Sequence, residues 1–65
     1  MTIYKVNLMR DGKLQDDQNV QARSEKEAAE KLYGNTLFKQ GPSSQVRAVV
    51  QPPTSTGSPT LFYER

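Results

Sequence analysis

The chain contains no cysteine, no histidine and no tryptophan. It therefore has no disulfide, no thiolate nucleophile, no imidazole acid–base group and no zinc site built on cysteine or histidine. Hydrophobic residues are also scarce, at 34% of 65 residues, compared with about 45–50% (glycine included) in ordinary soluble proteins. No apolar run approaches the ~18 residues needed to cross a membrane. These absences exclude most familiar catalytic constellations.

The length predicts one small domain spanning residues 1–65, because separate cores usually need on the order of 100 residues each. A chain this short buries only about 60% of the surface of its unfolded state, so the core must be thin. Apolar burial and conformational entropy then nearly balance in the isolated chain. The sequence is therefore compatible with partner binding and with self-association, and the choice between monomer and homodimer stays open.

The amino-terminal residues lack the apolar segment of a signal peptide, since Lys5, Asn7 and Arg10 interrupt it. The absence of cysteine is compatible with a reducing compartment. We therefore expect a soluble, cytoplasmic protein. Its formal net charge of +2 is small compared with the clustered basic stripes of dedicated nucleic-acid binders, so charge alone is weak evidence for such a partner.

The first segment alternates apolar and polar residues: Tyr4, Val6 and Leu8 are separated by Lys5 and Asn7. This period of two predicts a half-buried strand over residues 2–9. The apolar set should face a core, and the polar set should face away from it.

A hairpin turn follows at Asp11-Gly12, a dipeptide typical of tight turns between strands. A two-residue loop would bury polar groups of the second strand. We therefore expect a three-residue loop, residues 10–12, which pairs Leu8 with Leu14 and Thr2 with Val20. The second strand then covers residues 14–23, and its inward-facing residues are Val20 and Ala22.

A helix is predicted to begin at Glu25, because Ser24 and Glu27 form a capping box. Its apolar stripe comprises Ala28, Ala29, Leu32 and Tyr33. Gly34 and Asn35 favour the left-handed conformation that ends helices, so the helix should end near Tyr33.

Beyond the helix, Leu37 and Phe38 are the apolar residues of a polar connection, and one or both should join the core. Residues 45–51 are the most strand-prone stretch, and Pro52-Pro53 ends it. The Pro/Ser/Thr-rich segment over residues 52–59 has the composition of a mobile loop. Residues 60–65 are the last strand.

The predicted fold class is α+β, a two-layer ββαββ sandwich. The first and third strands are the more apolar and suit central positions, while the polar second strand suits an edge. The sheet is therefore expected to be antiparallel and four-stranded, with the order 2-1-3-4 and one helix on one face.

No catalytic cluster stands out. Asp16 and Asp17 resemble a paired-acid site, but neighbours in a strand point to opposite faces and cannot share a proton or a metal. No glycine-rich phosphate loop precedes the helix. We expect no enzyme activity, no cofactor and no metal.

The sheet face away from the helix is the candidate binding surface. Alternation should place apolar, aromatic and cationic side chains on it together. The candidate binding residues are Lys5, Asn7, Met9, Arg23, Arg47, Val49 and Phe62. Such a face suits a protein or homodimer interface. Alternatively, bases could stack on Phe62 while the cations neutralise phosphates of single-stranded nucleic acid or RNA. The apolar residues could also be ordinary scattered surface residues.

In size and layout the chain resembles small modules encoded by phages and mobile elements, including anti-CRISPR proteins, which act by stoichiometric binding. The resemblance covers the architecture of the whole chain and rests on no motif. It implies an inhibitor-like module that binds a protein or nucleoprotein complex, with nucleic-acid binding as the alternative and no membrane partner.

Overall fold

The computed structural model describes residues 2–52 and 57–64. The elements are, in chain order, β1 (Thr2–Arg10), β2 (Lys13–Ala22), α1 (Glu25–Tyr33), a 3-10 turn (Ser43–Gln45), β3 (Val46–Gln51) and β4 (Thr60–Tyr63). The strands form one antiparallel sheet in the order β2-β1-β3-β4. The predicted α+β class and strand order are therefore confirmed, and the strand ends differ from prediction by at most two residues.

Local chemistry accounts for both ends of α1. The hydroxyl of Ser24 accepts a hydrogen bond from the Glu27 amide at 3.2 Å, and the Glu27 carboxylate pairs with Lys31 at 3.3 Å. At the other end Gly34 adopts a positive φ of 86° and donates its N–H to the carbonyl of Glu30 at 2.7 Å. The predicted helix limits are confirmed.

The core lies between α1 and one face of the sheet. Its fully buried members come from every strand, the helix and the connection after it: Val6, Ala22, Ala28, Ala29, Leu37, Ala48, Val50 and Phe62. Within the described residues no polar or charged residue is buried. The two helix alanines let α1 lie close to the sheet, and this keeps the layer thin.

The first turn differs from the prediction. Asp11 and Gly12 both have positive φ, 52° and 75°, which is the signature of a two-residue type I′ turn. Met9 therefore pairs with Leu14, and Leu8 pairs with Asp16. Gln15 is the extra residue of a β-bulge between these pairs. The predicted three-residue loop and the predicted pairing of Leu8 with Leu14 are wrong.

The bulge nevertheless preserves the predicted facing of the second strand. Beyond Gln15, Tyr4 pairs with Val20 and Thr2 pairs with Ala22, so the predicted Thr2–Val20 pair is also wrong, by two residues. A shift of two leaves each side chain on the same face. Ala22 is buried and Val20 packs against the core, as predicted.

The connection after α1 covers part of the β4 edge. Leu37 is fully buried, while Phe38 and Tyr63 exchange two backbone hydrogen bonds of 2.8 and 2.7 Å. The prediction that one or both of these apolar residues join the core is confirmed by Leu37.

The mobile loop predicted over residues 52–59 lies partly outside the described residues, since 53–56 are not described. In the described part of the chain, no helix combines the length and the apolar character needed to cross a bilayer.

Candidate functional site

Within the described residues, one face of the sheet carries no helix. Val6 is fully buried beneath α1, so the alternating residues of β1 and their cross-strand partners lie on the opposite side. We call this side the open face. Its residues include Ile3, Lys5, Asn7, Met9, Leu14, Asp17, Asn19, Gln21, Val49, Gln51 and Leu61. The predicted positions of Lys5, Asn7, Met9 and Val49 agree with this arrangement.

The exposed large apolar residues of the described chain all belong to the open face. Ile3 is 62% exposed, Leu14 is 59% exposed and Leu61 is 41% exposed. Single exposed apolar residues are ordinary on a protein surface. A contiguous group is different, because monomeric proteins rarely expose large apolar patches without a partner.

Four residues of the open face form a continuous apolar band. Met9 pairs directly with Leu14, and Val49 pairs directly with Leu61. Val49 also pairs with Asn7, two residues before Met9, so Met9 and Val49 are diagonal neighbours at about 7–8 Å. The band runs in the order Leu14, Met9, Val49, Leu61 and crosses all four strands.

Polar residues lie beside the apolar band. Asn7 pairs with Asp17, and Lys5 pairs with Asn19 on one side and Gln51 on the other. The charged residues that the strands place here, Lys5 and Asp17, have opposite signs. The open face therefore combines an apolar band with a nearly neutral polar region.

Phe62 was expected on the open face, and this expectation is wrong. Its side chain is fully buried in the core, and it pairs with Ala48 on the helix side of the sheet. Its neighbour Leu61 takes the open position instead. The open face consequently has no Phe62 ring on which a base could stack.

Arg47 also departs from its predicted position. A bulge between Val46 and Ala48 interrupts the alternation of β3 at this residue. The guanidinium donates to the side-chain oxygen of Gln45 at 2.9 Å and pairs with Glu64 at 3.5 Å. The side chain is only 17% exposed, so Arg47 is occupied at the end of the sheet beside the helix.

Arg23 is exposed and follows β2 directly. It lies at the rim of the open face rather than within the strand. Neither an ion pair nor a hydrogen bond engages its side chain within the described residues.

A groove of about 550 Å³ separates the β1–β2 turn from the end of α1. Tyr33, Arg47 and Glu64 line one wall, and the Tyr33 hydroxyl donates a hydrogen bond to the Glu64 carboxylate. This bond raises the pKa of the Tyr33 phenol, with smaller contributions from burial and from the Glu64 charge, while Arg47 opposes the shift. The phenol is therefore held in its neutral form.

The described residues contain no group of three carboxylates that could hold a metal. Asp16 pairs with Leu8, and Asp17 pairs with Asn7, so the two acids face opposite sides, as predicted. The arrangement offers no paired-acid chemistry at this position.

Sequence reasoning missed Leu14 and Leu61 as members of the open face. The predicted three-residue loop pairs Leu14 with Leu8 on the core side, whereas the two-residue turn of the structure pairs Leu14 with Met9 on the open face. The sequence predicts Phe62 rather than Leu61 on the open face, because a strand of four residues carries too little alternation to show which side chain faces the core. The alternating pattern of β1 is strong enough to identify the open face, but it does not show which residues of the neighbouring strands share that face.

Comparison with known proteins adds no relative: no family model matches the chain, no curated protein is detectably similar to it in sequence, and no solved structure matches its fold.

Proposed function

We propose that the protein is a small non-enzymatic binding module that associates stoichiometrically with a protein, free or within a nucleoprotein complex, through its open face. The apolar band from Leu14 to Leu61 is the observation that carries this proposal. Protein interfaces combine an apolar centre with a polar rim. The band, with Lys5, Asn7 and Asp17 beside it, has this composition.

The area of the open face is close to that of one standard protein interface. The Cα positions extend over 28 × 23 × 20 Å. A face of the two larger dimensions offers on the order of 600 Å² before side chains are counted, close to the roughly 800 Å² that each partner buries in a standard complex. A partner that covers the open face would therefore use most of one side of the domain.

Nucleic-acid binding is less well supported. Phe62 is buried and Arg47 pairs with Glu64, so two of the residues on which that alternative depended are engaged elsewhere. Lys5 and Arg23 remain as exposed cations, while Asp17 would repel phosphates on the same face. Single-strand binders usually combine a basic groove with stacking aromatics.

A non-enzymatic role is consistent with the chemistry of the groove. Tyr33 has a raised pKa because it donates to Glu64. A phenol acting as a base or nucleophile needs the opposite shift, towards the phenolate. The groove therefore supports a structural bond better than a catalytic group.

Paired variants test the proposal. Leu14→Asp combined with Leu61→Asp places two charges in the apolar band, and both positions are exposed enough to leave the fold intact. Gln40→Asp is the control, because Gln40 is exposed and belongs to none of the four strands. Each form is immobilised and exposed to lysate of the cells that naturally produce the chain.

The expected result is a protein retained in stoichiometric amount by the natural chain and by Gln40→Asp, but lost with the double variant. Isothermal titration with the purified partner should then give a one-to-one or two-to-two complex. Equal retention by all three forms would overturn the role of the open face. Retention of nucleic acid alone, with a salt dependence near −0.7 per phosphate contact, would favour the alternative.

A further inference from the structure

The two edges of the sheet are protected to different degrees. At β4, Phe38 bonds the backbone of Tyr63, and Pro59, which has no N–H, precedes the four-residue strand. The outer edge of β2 is ten residues long, and no described segment pairs with it. A long open edge is a template for pairing with another strand.

The backbone groups that β2 directs outward can be identified from Lys31. Its ammonium donates to the Gln21 carbonyl at 2.9 Å. Carbonyls of β2 that point inward bond to β1, so Gln21 belongs to the outward-pointing set. Because this set alternates along an antiparallel strand, Asn19 and Asp17 share the outward orientation with Gln21.

The charged residues along the β2 edge can pair with those of a second copy of the chain. Asp17 and Arg23 are both exposed, and neither has an ion-pair partner within the described residues. In a two-fold antiparallel pair of β2 strands centred on Val20, each Asp17 lies opposite the end of the other copy's β2, where Arg23 directly follows the strand. A register centred on Gln18 would instead oppose Arg23 to Lys13, and one centred on Asp17 would oppose two aspartates.

We propose that two copies of this chain associate through their β2 edges, antiparallel and centred on Val20, to form one continuous eight-stranded sheet. In this register Asn19 lies opposite Gln21, so the outward backbone groups of one copy meet those of the other. The two half-buried Val20 side chains meet at the two-fold axis on the helix side. Both open faces then lie on one side of the joined sheet and stay uncovered.

Lys31 opposes this association in the isolated chain. It occupies the Gln21 carbonyl and is held there by its ion pair with Glu27 at 3.3 Å. Lysine at a sheet edge is a common protection against unwanted strand pairing. Dimerisation must replace the ammonium at this carbonyl with the Asn19 amide of the second copy.

A charge exchange tests the register by analytical ultracentrifugation. Asp17→Arg and Arg23→Asp each place like charges opposite each other twice in the dimer, so each should weaken the dimer about tenfold. The double variant restores opposite charges and should return the dissociation constant to within about threefold of the natural chain. Asp16→Arg is the matched control, since it changes the same charge on the other face.

Lys31→Met provides a second measurement and should strengthen the dimer about threefold, because the Gln21 carbonyl becomes free. Circular dichroism establishes that each variant is folded. A natural chain that stays monomeric at millimolar concentration would overturn the proposal, and so would a double variant as weak as the single ones. Leu14→Asp with Leu61→Asp should leave the dimer intact, which separates this edge from the open face.

Discussion

The phenolic hydroxyl of Tyr33, the last residue of α1, donates a hydrogen bond to the carboxylate of Glu64, the residue after β4. The other oxygen of the same carboxylate lies 3.5 Å from the Arg47 guanidinium. One acid thus joins the end of the helix to two strands. Because the core is thin, we expect such a connection to contribute measurably to stability.

This relationship predicts a pH dependence of stability. The folded protein raises the pKa of Tyr33, mainly through the bond to Glu64, above the unfolded value of about 10. The contribution of the neutral phenol is therefore fully present below pH ~10 and is lost as the pH rises through the folded-state pKa. Urea unfolding measured between about pH 8 and 11 should show stability falling at the alkaline end.

Tyr33→Phe provides the control for this effect. It should cost about 1 kcal/mol near neutral pH, the usual value of one hydrogen bond, and it should flatten the alkaline fall. Equal alkaline slopes in Tyr33→Phe and the natural chain would show that other groups cause the loss.

Both ends of α1 were predictable because the signals are local. Ser24 caps the first turn and Gly34 supplies the left-handed conformation at the end, and both depend only on residues within one turn. The alternation of β1 was equally readable, since nine residues give several repeats of the pattern. These features sufficed for the α+β class and the strand order.

The pairing of the strands was less predictable, because bulges carry no comparable signal. Gln15 is one polar residue among several in β2, yet its insertion decides that Leu8 pairs with Asp16 rather than Gln15, which keeps Val20 and Ala22 on the core side. The bulge between Val46 and Ala48 similarly removes Arg47 from the open face. Such irregularities are set by tertiary fit and hydrogen bonding across strands, which a single sequence does not display.

The opposite facing of Phe62 and Leu61 predicts very different costs of truncation. Phe62 is fully buried, whereas Leu61 is 41% exposed. Phe62→Ala should lose about 3–5 kcal/mol, the range for a large core aromatic, which approaches the whole stability of a domain this small. Leu61→Ala should lose less than about 1 kcal/mol. Thermal melts followed by circular dichroism distinguish the two, and comparable losses would contradict the assigned facing of β4.

The type I′ turn predicts a conformational cost at Gly12. Its φ is +75°, and an added Cβ would meet no atom within 4 Å. Gly12→Ala should therefore destabilise by about 1–2 kcal/mol through the left-handed backbone alone. Asp11→Asn should be neutral or slightly stabilising, because Asn-Gly is the preferred dipeptide of this turn. Chemical denaturation gives both values, and a neutral Gly12→Ala would argue for a different turn.

Gly41 predicts a steric cost of a different origin. A Cβ at this position would lie 2.9 Å from the Cβ of Tyr63 and 3.2 Å from its Cγ. Tyr63 cannot yield easily, because its backbone is bonded to Phe38 on one side and its strand pairs with β3 on the other. Gly41→Ala should therefore force the covering segment away from β4 and cost about 1–3 kcal/mol. Gln40→Ala, at the exposed neighbouring position, should change stability by less than about 0.5 kcal/mol. Hydrogen exchange should report faster exchange of the Phe38 and Tyr63 amides in Gly41→Ala, and unchanged exchange would show that the segment accommodates the methyl group without leaving the edge.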